Sequence, residues 1–476
     1  MSQVERRTGR TAALLLSLLG LVAVGAAGAS PRGWELDATT QVPPPKMVTA
    51  ARHYAFPLHV SKNGRYLADR KGKPFMIVGD SPQALIGNLS VKAAAAYISN
   101  RKRAGFDALW VNLLCTTYTG CSSDGSTYDG IAPFTHKGNL STPNPAYFDR
   151  AAAIIQLAQK AGMAVFLDPI ETGGWLDVLR SNGAAGDTAY GRFVGKRFRG
   201  FRNIVWLSGN DFQTWKNRAD DAVARAVAQG IRSADPAALQ TVELNYLRSA
   251  SRDDPRWHGI IKLDAAYTYF ATYAKVLREY KRSPPVPVFL LEAGYEFEQN
   301  APSISYGDPQ TLRRQEYWTA LSGATGQFYG NHYTWQFADG WEHRLDTEGS
   351  AQLGYLVNLL ARRRWFRLRP DLGHRIVTKG FGTFTPNRSV ASSDYVTTAS
   401  TPDGSLAISY LPQGGTIRVD TTRMARRLHA SWYDPTSGRY TAVKGSPFAA
   451  RRGVRLTAPG RNHARDRDWV LVLTAE

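Results

Sequence analysis

The sequence predicts an α/β fold: a (β/α)8 barrel of the TIM type, followed by a C-terminal all-β sandwich. Two observations predict the barrel. Short apolar runs alternate with helix-length amphipathic segments until eight such units have passed. Several of those runs also stop abruptly at a polar residue, the position where a parallel barrel collects its functional groups. A third observation predicts the sandwich. Beyond Pro370 the helix signals fade, and short strands with Gly, Pro and Asp turns take over. A doubly wound open sheet is the alternative, but its glycine-rich phosphate fingerprint is missing after the first strand.

In order, Arg6, Arg7 and Arg10 precede the apolar run Ala12–Ala27, and Ala27-Gly28-Ala29 offers a small-residue cleavage site. That layout predicts a signal peptide over residues 1–29 and an exported protein, periplasmic or extracellular. An uncleaved membrane anchor is the alternative, because the run is near the lower limit for a span. Residues 30–55, with Val42-Pro43-Pro44-Pro45, read as a linker. Leu58–Leu67 reads as a hairpin turning at Asn63-Gly64. The barrel domain is assigned to residues 56–369, and its first strand is Pro74–Val78, running into Gly79-Asp80.

Ser90 caps a helix over Val91–Ala104, and Phe106–Val111 is a strand ending at Asn112. The long polar and aromatic segment Leu113–Pro145 precedes a helix over Ala146–Ala161. Met163–Leu167 delivers Asp168, and a helix around Asp187–Arg197 leads to the strand at Val205. A helix over Arg218–Ser233 precedes Thr241–Asn245. Ile260–Leu263 or the adjacent Tyr267–Phe270 supplies the sixth strand, then a helix over Tyr273–Lys281. The strand at Val288, a helix over Pro309–Gly323, the strand Gly326–Gly330 and a helix over Ala351–Arg364 complete the set. Residues 370–476 form the β-domain, with strands at Ser405–Leu411, Thr416–Asp420, His429–Tyr433, Gly453–Thr457 and Trp469–Leu473.

Hydrophobic content of 43% in 476 residues excludes a disordered or fibrous chain. A net charge of +20 raises nucleic acid as a partner. The basic residues are dispersed, however, with local knots such as Arg362-Arg363-Arg364, and no nucleic-acid-binding motif accompanies them. A basic surface suits an anionic envelope or an acidic polysaccharide equally well. The expected partner is therefore a carbohydrate, acidic polysaccharides included, with no nucleic acid and a membrane only through an uncleaved N-terminus. Cys115 and Cys121 are the only cysteines. In an oxidising compartment they can close a small disulfide loop; two free thiols are the alternative.

The chemistry centres on two stretches. Asn203-Ile204-Val205-Trp206-Leu207 is a buried-strand pattern that stops in Ser208-Gly209-Asn210-Asp211. Pro287–Leu291 has the same grammar and runs into Glu292, then Ala293-Gly294-Tyr295-Glu296. Either motif alone reads as a turn, an N-cap or a solvated charge. Two carboxylates delivered to one rim by the fourth and seventh strands instead fit glycoside hydrolysis. Asp211 and Glu292 are the catalytic candidates, with Glu296 as rival to Glu292. Asp80, Asn112, Asp168, Asn210, Tyr329, His332 and Trp335 sit where the rim should be and are the substrate-binding candidates. No histidine or cysteine cluster has metal-ligand spacing, so neither metal nor cofactor is expected.

The phrases Gly64-Arg65-Tyr66-Leu67, Gly72-Lys73-Pro74-Phe75, Gly79-Asp80, Asn203-Ile204-Val205-Trp206, Leu291-Glu292 and Tyr329-Gly330-Asn331-His332 resemble the apiosidase-like glycoside hydrolases. Trp432-Tyr433-Asp434-Pro435-Thr436-Ser437-Gly438 and Asp468–Leu473 resemble the collagen-binding-type module that follows that family's barrel. The resemblance implies a retaining glycosidase, with Asp211 as acid/base and Glu292 as nucleophile. Two departures bear on the sugar recognised: Ser81-Pro82-Gln83 stands where the family often places an aromatic residue, and the Cys115/Cys121 loop is idiosyncratic. A non-catalytic carbohydrate- or matrix-binding protein on an inactive barrel, and an endo-acting glycanase, are the competing readings.

Overall fold

The computed structural model describes residues 53–475, apart from Trp215 and Arg426. The signal segment 1–29 and most of the linker lie outside the described residues. Eight parallel strands form the barrel wall: Ile77–Asp80, Ala108–Asn112, Ala164–Asp168, Ile204–Phe212, Gln240–Leu244, Asp264–Thr268, Val288–Glu292 and Gly326–Tyr329. Hydrogen-bonded ladders run unbroken from the fifth strand back through the first, then through the eighth and seventh to the sixth.

The barrel closes between strands five and six by other means. The sixth strand pairs antiparallel with the short strand Arg248–Ala250. Lys262 N–H donates to the Gln240 carbonyl (2.8 Å) and the Thr241 hydroxyl to the Leu263 carbonyl (3.0 Å). Ser251 bridges the seam, donating to the Val242 carbonyl (2.6 Å) and accepting from Ala265 N–H (2.9 Å). Backbone groups at a buried edge must find partners, and hydroxyls supply them here.

Alternation along each strand decides which side chains enter the barrel. Ile77, Trp110, Phe166, Leu207, Leu291 and Phe328 form one buried interior cluster, which Leu58, Leu67 and Phe75 of the N-terminal hairpin sheet extend. Val78, Leu109, Val165 and Trp206 instead pack outward against the helices. The helix between strands three and four is longer than the sequence suggests. It starts at Thr172, directly after the third strand, and runs to Phe198 across a break at Gly183 (φ 67°). The sixth strand, Asp264–Thr268, starts just after the first predicted position and overlaps the second at Tyr267 and Thr268.

The C-terminal region is all-β. A seven-stranded antiparallel sheet faces a three-stranded one, with Leu428, Trp432, Leu456 and Leu471 between them. Strands at Thr397–Ser400 and Val377–Lys379 add to the predicted set. This region meets the barrel helix Pro309–Leu321 through a buried ion pair. The Arg313 guanidinium reaches Asp468 through Nε (3.0 Å) and Nη2 (2.9 Å), and Tyr410 donates to the same carboxylate.

Candidate active site

The fourth strand ends in an irregularity that aims its last residues. Its pairing with strand five shifts between Ser208 and Phe212, and both Asn210 (φ 65°) and Asp211 (φ 59°) take left-handed backbone conformations. Asn and Asp tolerate that region better than most residues, and a bulge at a strand end re-aims side chains. Gly209 is required beside them, since a Cβ there would lie 2.1 Å from the Glu243 carbonyl oxygen. The turn is held by Asp211 N–H donating to the Glu243 carboxylate (3.1 Å). Strand seven is irregular too. One extra residue places Glu292 opposite Tyr267 instead of continuing the register that pairs Leu290 with Ala266. Without that insertion Glu292 would follow Leu290 to the outer face.

The strand ends thus bring Asp211, Glu243 and Glu292 together inside the barrel mouth. Glu243 is buried at the end of strand five. It did not stand out in the sequence, where Thr241-Val242-Glu243-Leu244 reads as ordinary strand alternation. Tyr118 donates to Asp211 Oδ2 (2.6 Å), Tyr269 to Glu292 Oε1 (2.7 Å) and Tyr295 to Glu292 Oε2 (3.1 Å). The Tyr267 hydroxyl is buried, faces both Asp211 and Glu292, and has no hydrogen-bond partner within bonding geometry. Asp211 Oδ1 and Glu243 Oε1 are buried without a partner as well.

Burial, then the Asp211 charge, pushes Glu292 up to about 8, against the tyrosine hydroxyls that favour its ionised form. Burial raises Asp211, and burial together with the charges of Glu292 and Asp211 drives Glu243 well above the usual carboxylate range. Three acids this close titrate as one system and do not all carry charge at neutral pH. Their environments differ in a useful way. Glu292 accepts two hydrogen bonds, which favour the carboxylate, whereas Asp211 accepts one and keeps its other oxygen buried and unpartnered.

A polar chain links these acids to neighbouring strand ends. Asn112 Nδ2 contacts Asn210 Oδ1 (3.4 Å), Asn210 Nδ2 contacts Gln83 (3.5 Å), and Gln83 donates to the Tyr295 hydroxyl (3.1 Å). Asn210 therefore lies beside the carboxylates, and Asn112, bonded to Glu171 at 3.0 Å, lies one contact away. Asp168 is fully buried and accepts from Ile170 N–H (3.1 Å), with its other oxygen unpartnered. His332 is half-buried and burial favours its neutral form; the Trp335 indole N–H is buried without a partner, and the Trp335 carbonyl accepts from Ala84 N–H.

Asp80 and Tyr329 do not join them. Because Ile77 and Phe328 face inward, their strand-end neighbours Asp80 and Tyr329 face outward. Asp80 accepts from Tyr97 (2.6 Å) and sits 3.6 Å from Arg101, both on the helix Val91–Arg103. Tyr329 donates to Glu296, which also takes Gly349 N–H (3.0 Å). Glu296, the rival to Glu292, is thus committed to the outer layer. Cys115 and Cys121 are joined, with Cα atoms 5.8 Å apart. A separate cavity of about 590 Å³, lined by Arg65, Tyr66, Trp365 and Arg367, lies at the N-terminal ends of the strands and holds none of these acids. Among the described residues no His, Cys, Asp and Glu group is arranged to hold a metal ion.

Residues 61–367 match the family described as "Apiosidase-like, catalytic domain", and residues 383–474 match the "Putative collagen-binding domain of a collagenase". No curated protein matches the chain. A family 5 glycoside hydrolase from Bacteroides vulgatus is similar in structure, with a TM-score of 0.74 at 21% identity over 88% of this chain and 93% of that one. A second solved structure, titled a glycoside hydrolase, gives 0.76 at 21% identity over 89% and 99%. At such identity these two carry the fold, a barrel followed by a β-domain. The family match extends over most of the chain, and the protein belongs to the apiosidase-like family of glycoside hydrolases.

Proposed function

We propose that this glycoside hydrolase is exported and works with retention, Asp211 serving as acid/base and Glu292 as nucleophile. The observation that carries the reading is the unequal treatment of two facing carboxyls. Glu292 is held by two hydroxyl donors at 2.7 and 3.1 Å, while Asp211 keeps an unpartnered oxygen. A nucleophile must be fixed, with donors on its charged form for the moment it ionises within the coupled group; an acid must hold a proton for the leaving group.

In the first step Glu292 attacks the anomeric carbon as Asp211 protonates the departing oxygen. Forming the ester quenches the Glu292 charge, so Asp211 gives up its proton more readily and can deprotonate the incoming water. Glu243, bonded to the Asp211 backbone, fixes the turn from which Asp211 acts. The substrate is a carbohydrate, a glycosidic bond in a plant or microbial polysaccharide or glycoside, and family membership makes an apiose-type sugar the first candidate. The hydrogen-bond partners of the three acids are neutral, which supports an uncharged sugar at the cleaved bond and leaves acidic polymers to the basic surface. Tyr118 reaching Asp211 across the mouth supports a pocket and exo action over an open cleft. A purely binding role has no use for unpartnered acids facing one another.

The test uses Asp211→Ala, Glu292→Ala and azide on an activated aryl glycoside. The Asp211 variant should accumulate a covalent intermediate as a burst and regain turnover with azide, giving a product of retained configuration. The Glu292 variant should give the inverted glycosyl azide. Inverted product from the Asp211 variant would exchange the two roles, and hydrolysis with inversion by the native enzyme would rule out retention.

A further inference from the structure

We propose that the Cys115–Cys121 loop is a positioning device for the acid/base, carrying Tyr118 across the barrel mouth to hold the Asp211 carboxyl in its working orientation. The inference rests on the acid/base role of Asp211 proposed above.

The loop is short: the disulfide encloses Thr116 to Gly120, which carry the single-turn helix Thr117–Thr119. Tyr118 is the part of it that reaches out, 43% exposed, with its hydroxyl on Asp211 Oδ2 at 2.6 Å. Three contacts hold the loop from below. Glu171, buried at the start of the helix Thr172–Phe198, accepts from Thr116 N–H (2.6 Å), the Thr116 hydroxyl (2.8 Å) and the Thr119 hydroxyl. Gly87 lies against both sulfurs, where a Cβ would be 2.8 and 2.9 Å away. Gly173 gives the Tyr118 ring its seat, since a Cβ there would be 2.2 Å from the ring.

This is more anchoring than a surface loop needs. Loops of this size gain little from burial, and exposed tyrosines ordinarily sample several rotamers. Here the disulfide, a buried carboxylate and two glycine seats converge on the ring whose hydroxyl bonds to the acid at 2.6 Å. Asp211 itself stands on a left-handed turn with its other oxygen unpartnered, so the Tyr118 hydroxyl is the side-chain donor in bonding contact with it, the Tyr267 hydroxyl facing it from beyond bonding geometry. A donor on the carboxylate also favours its ionised form, which helps the acid release its proton. Fixing a reacting group within a fraction of an ångström is worth large factors in rate.

The test has a part that needs no substrate. Carboxyl-labelled aspartate in the full chain, with the Asp211 resonance identified by its loss in Asp211→Asn, is titrated by NMR. Tyr118→Phe should move the Asp211 titration to higher pH. Cys115→Ser/Cys121→Ser, or reduction of the native disulfide with a phosphine, should do the same. Reducing the Tyr118→Phe variant should add nothing further, because both changes act through one hydroxyl. An unchanged titration in Tyr118→Phe, or a disulfide effect that persists undiminished without the hydroxyl, overturns the proposal.

The second part uses aryl glycosides of graded leaving-group acidity. Tyr118→Phe should lower kcat/KM about tenfold for poor leaving groups and spare good ones, steepening the dependence on leaving-group pKa. Equal loss across the series means the loop is structural only and overturns the proposal. Loss of retention or of azide rescue would count against the Asp211 and Glu292 assignment instead, whatever the titration shows.

Discussion

Two groups of buried acids sit on opposite sides of the same barrel wall, and they are treated differently. Outside, Asp80 faces Arg101 and accepts from Tyr97 and Ser81 N–H, while Glu296 takes Tyr329, Thr347 and Gly349 N–H. Inside, Asp211, Glu243 and Glu292 face one another, and two of the three keep an unpartnered buried oxygen. Burial alone therefore does not set the inner acids apart, nor does an unpartnered oxygen, since Asp168, Asp187 and Asp264 keep one as well. What sets them apart is their mutual approach, by which the charge of one acid raises another.

The comparison is broken most sharply at Glu292. Glu292→Ala should cut turnover by at least about 10⁴-fold on every substrate, as loss of a nucleophile does. Circular dichroism should show an intact fold. Asp80→Ala should do the reverse in kind, leaving Arg101 buried without its acid and costing about 3 to 5 kcal/mol in denaturant unfolding. If Asp80→Ala were as stable as the native protein, the distinction between the two faces would fail.

A smaller effect concerns pH. Glu292 has its folded pKa raised to about 8, above the unfolded glutamate value. Between those values the folded state binds more protons than the unfolded one, so stability is lost as pH rises toward 8. Glu292→Gln should flatten that fall, and a thermal melt series from pH 5 to 9 checks it. The smallest change is Glu243→Gln. Glu243 keeps its proton while Asp211 and Glu292 ionise, so a neutral amide in its place should leave the acidic limb of kcat/KM almost where it is. A clear shift to lower pH would mean that Glu243 carries charge in the working enzyme.

How far the sequence disclosed this arrangement differs between elements. Apolar runs stopping at polar residues located the barrel strands, because a strand buried on both faces leaves little other pattern. The first half of the helix Thr172–Phe198 escaped because Gly173, Gly174 and Gly183 depress helix propensity, and two of them serve the approach of Tyr118 and Thr116. Strand-end position picked out Asp211 and Glu292, which the fold brings together, but also Asp80 and Tyr329, which it does not. Inside–outside parity would have separated those, since Ile77 and Phe328 face inward. Parity would still have misplaced Glu292, which reaches the interior through a one-residue insertion invisible in Val288–Glu292. The tyrosines around the acids were hidden by number, as twenty-two are spread along the chain.

The Arg313–Asp468 contact has a consequence for taking the protein apart. Arg313 is fully buried, and its guanidinium bonds to Asp468, to Asp466 (2.6 Å) and to Gln352. A chain cut after the last barrel helix would strand that charge on a surface built to meet another. Arg314, which donates to the Val390 and Pro412 carbonyls, would lose its partners in the same cut. The catalytic half is therefore no detachable cassette. Grafting it onto a different binding module would require rewriting Arg313 and Arg314 first.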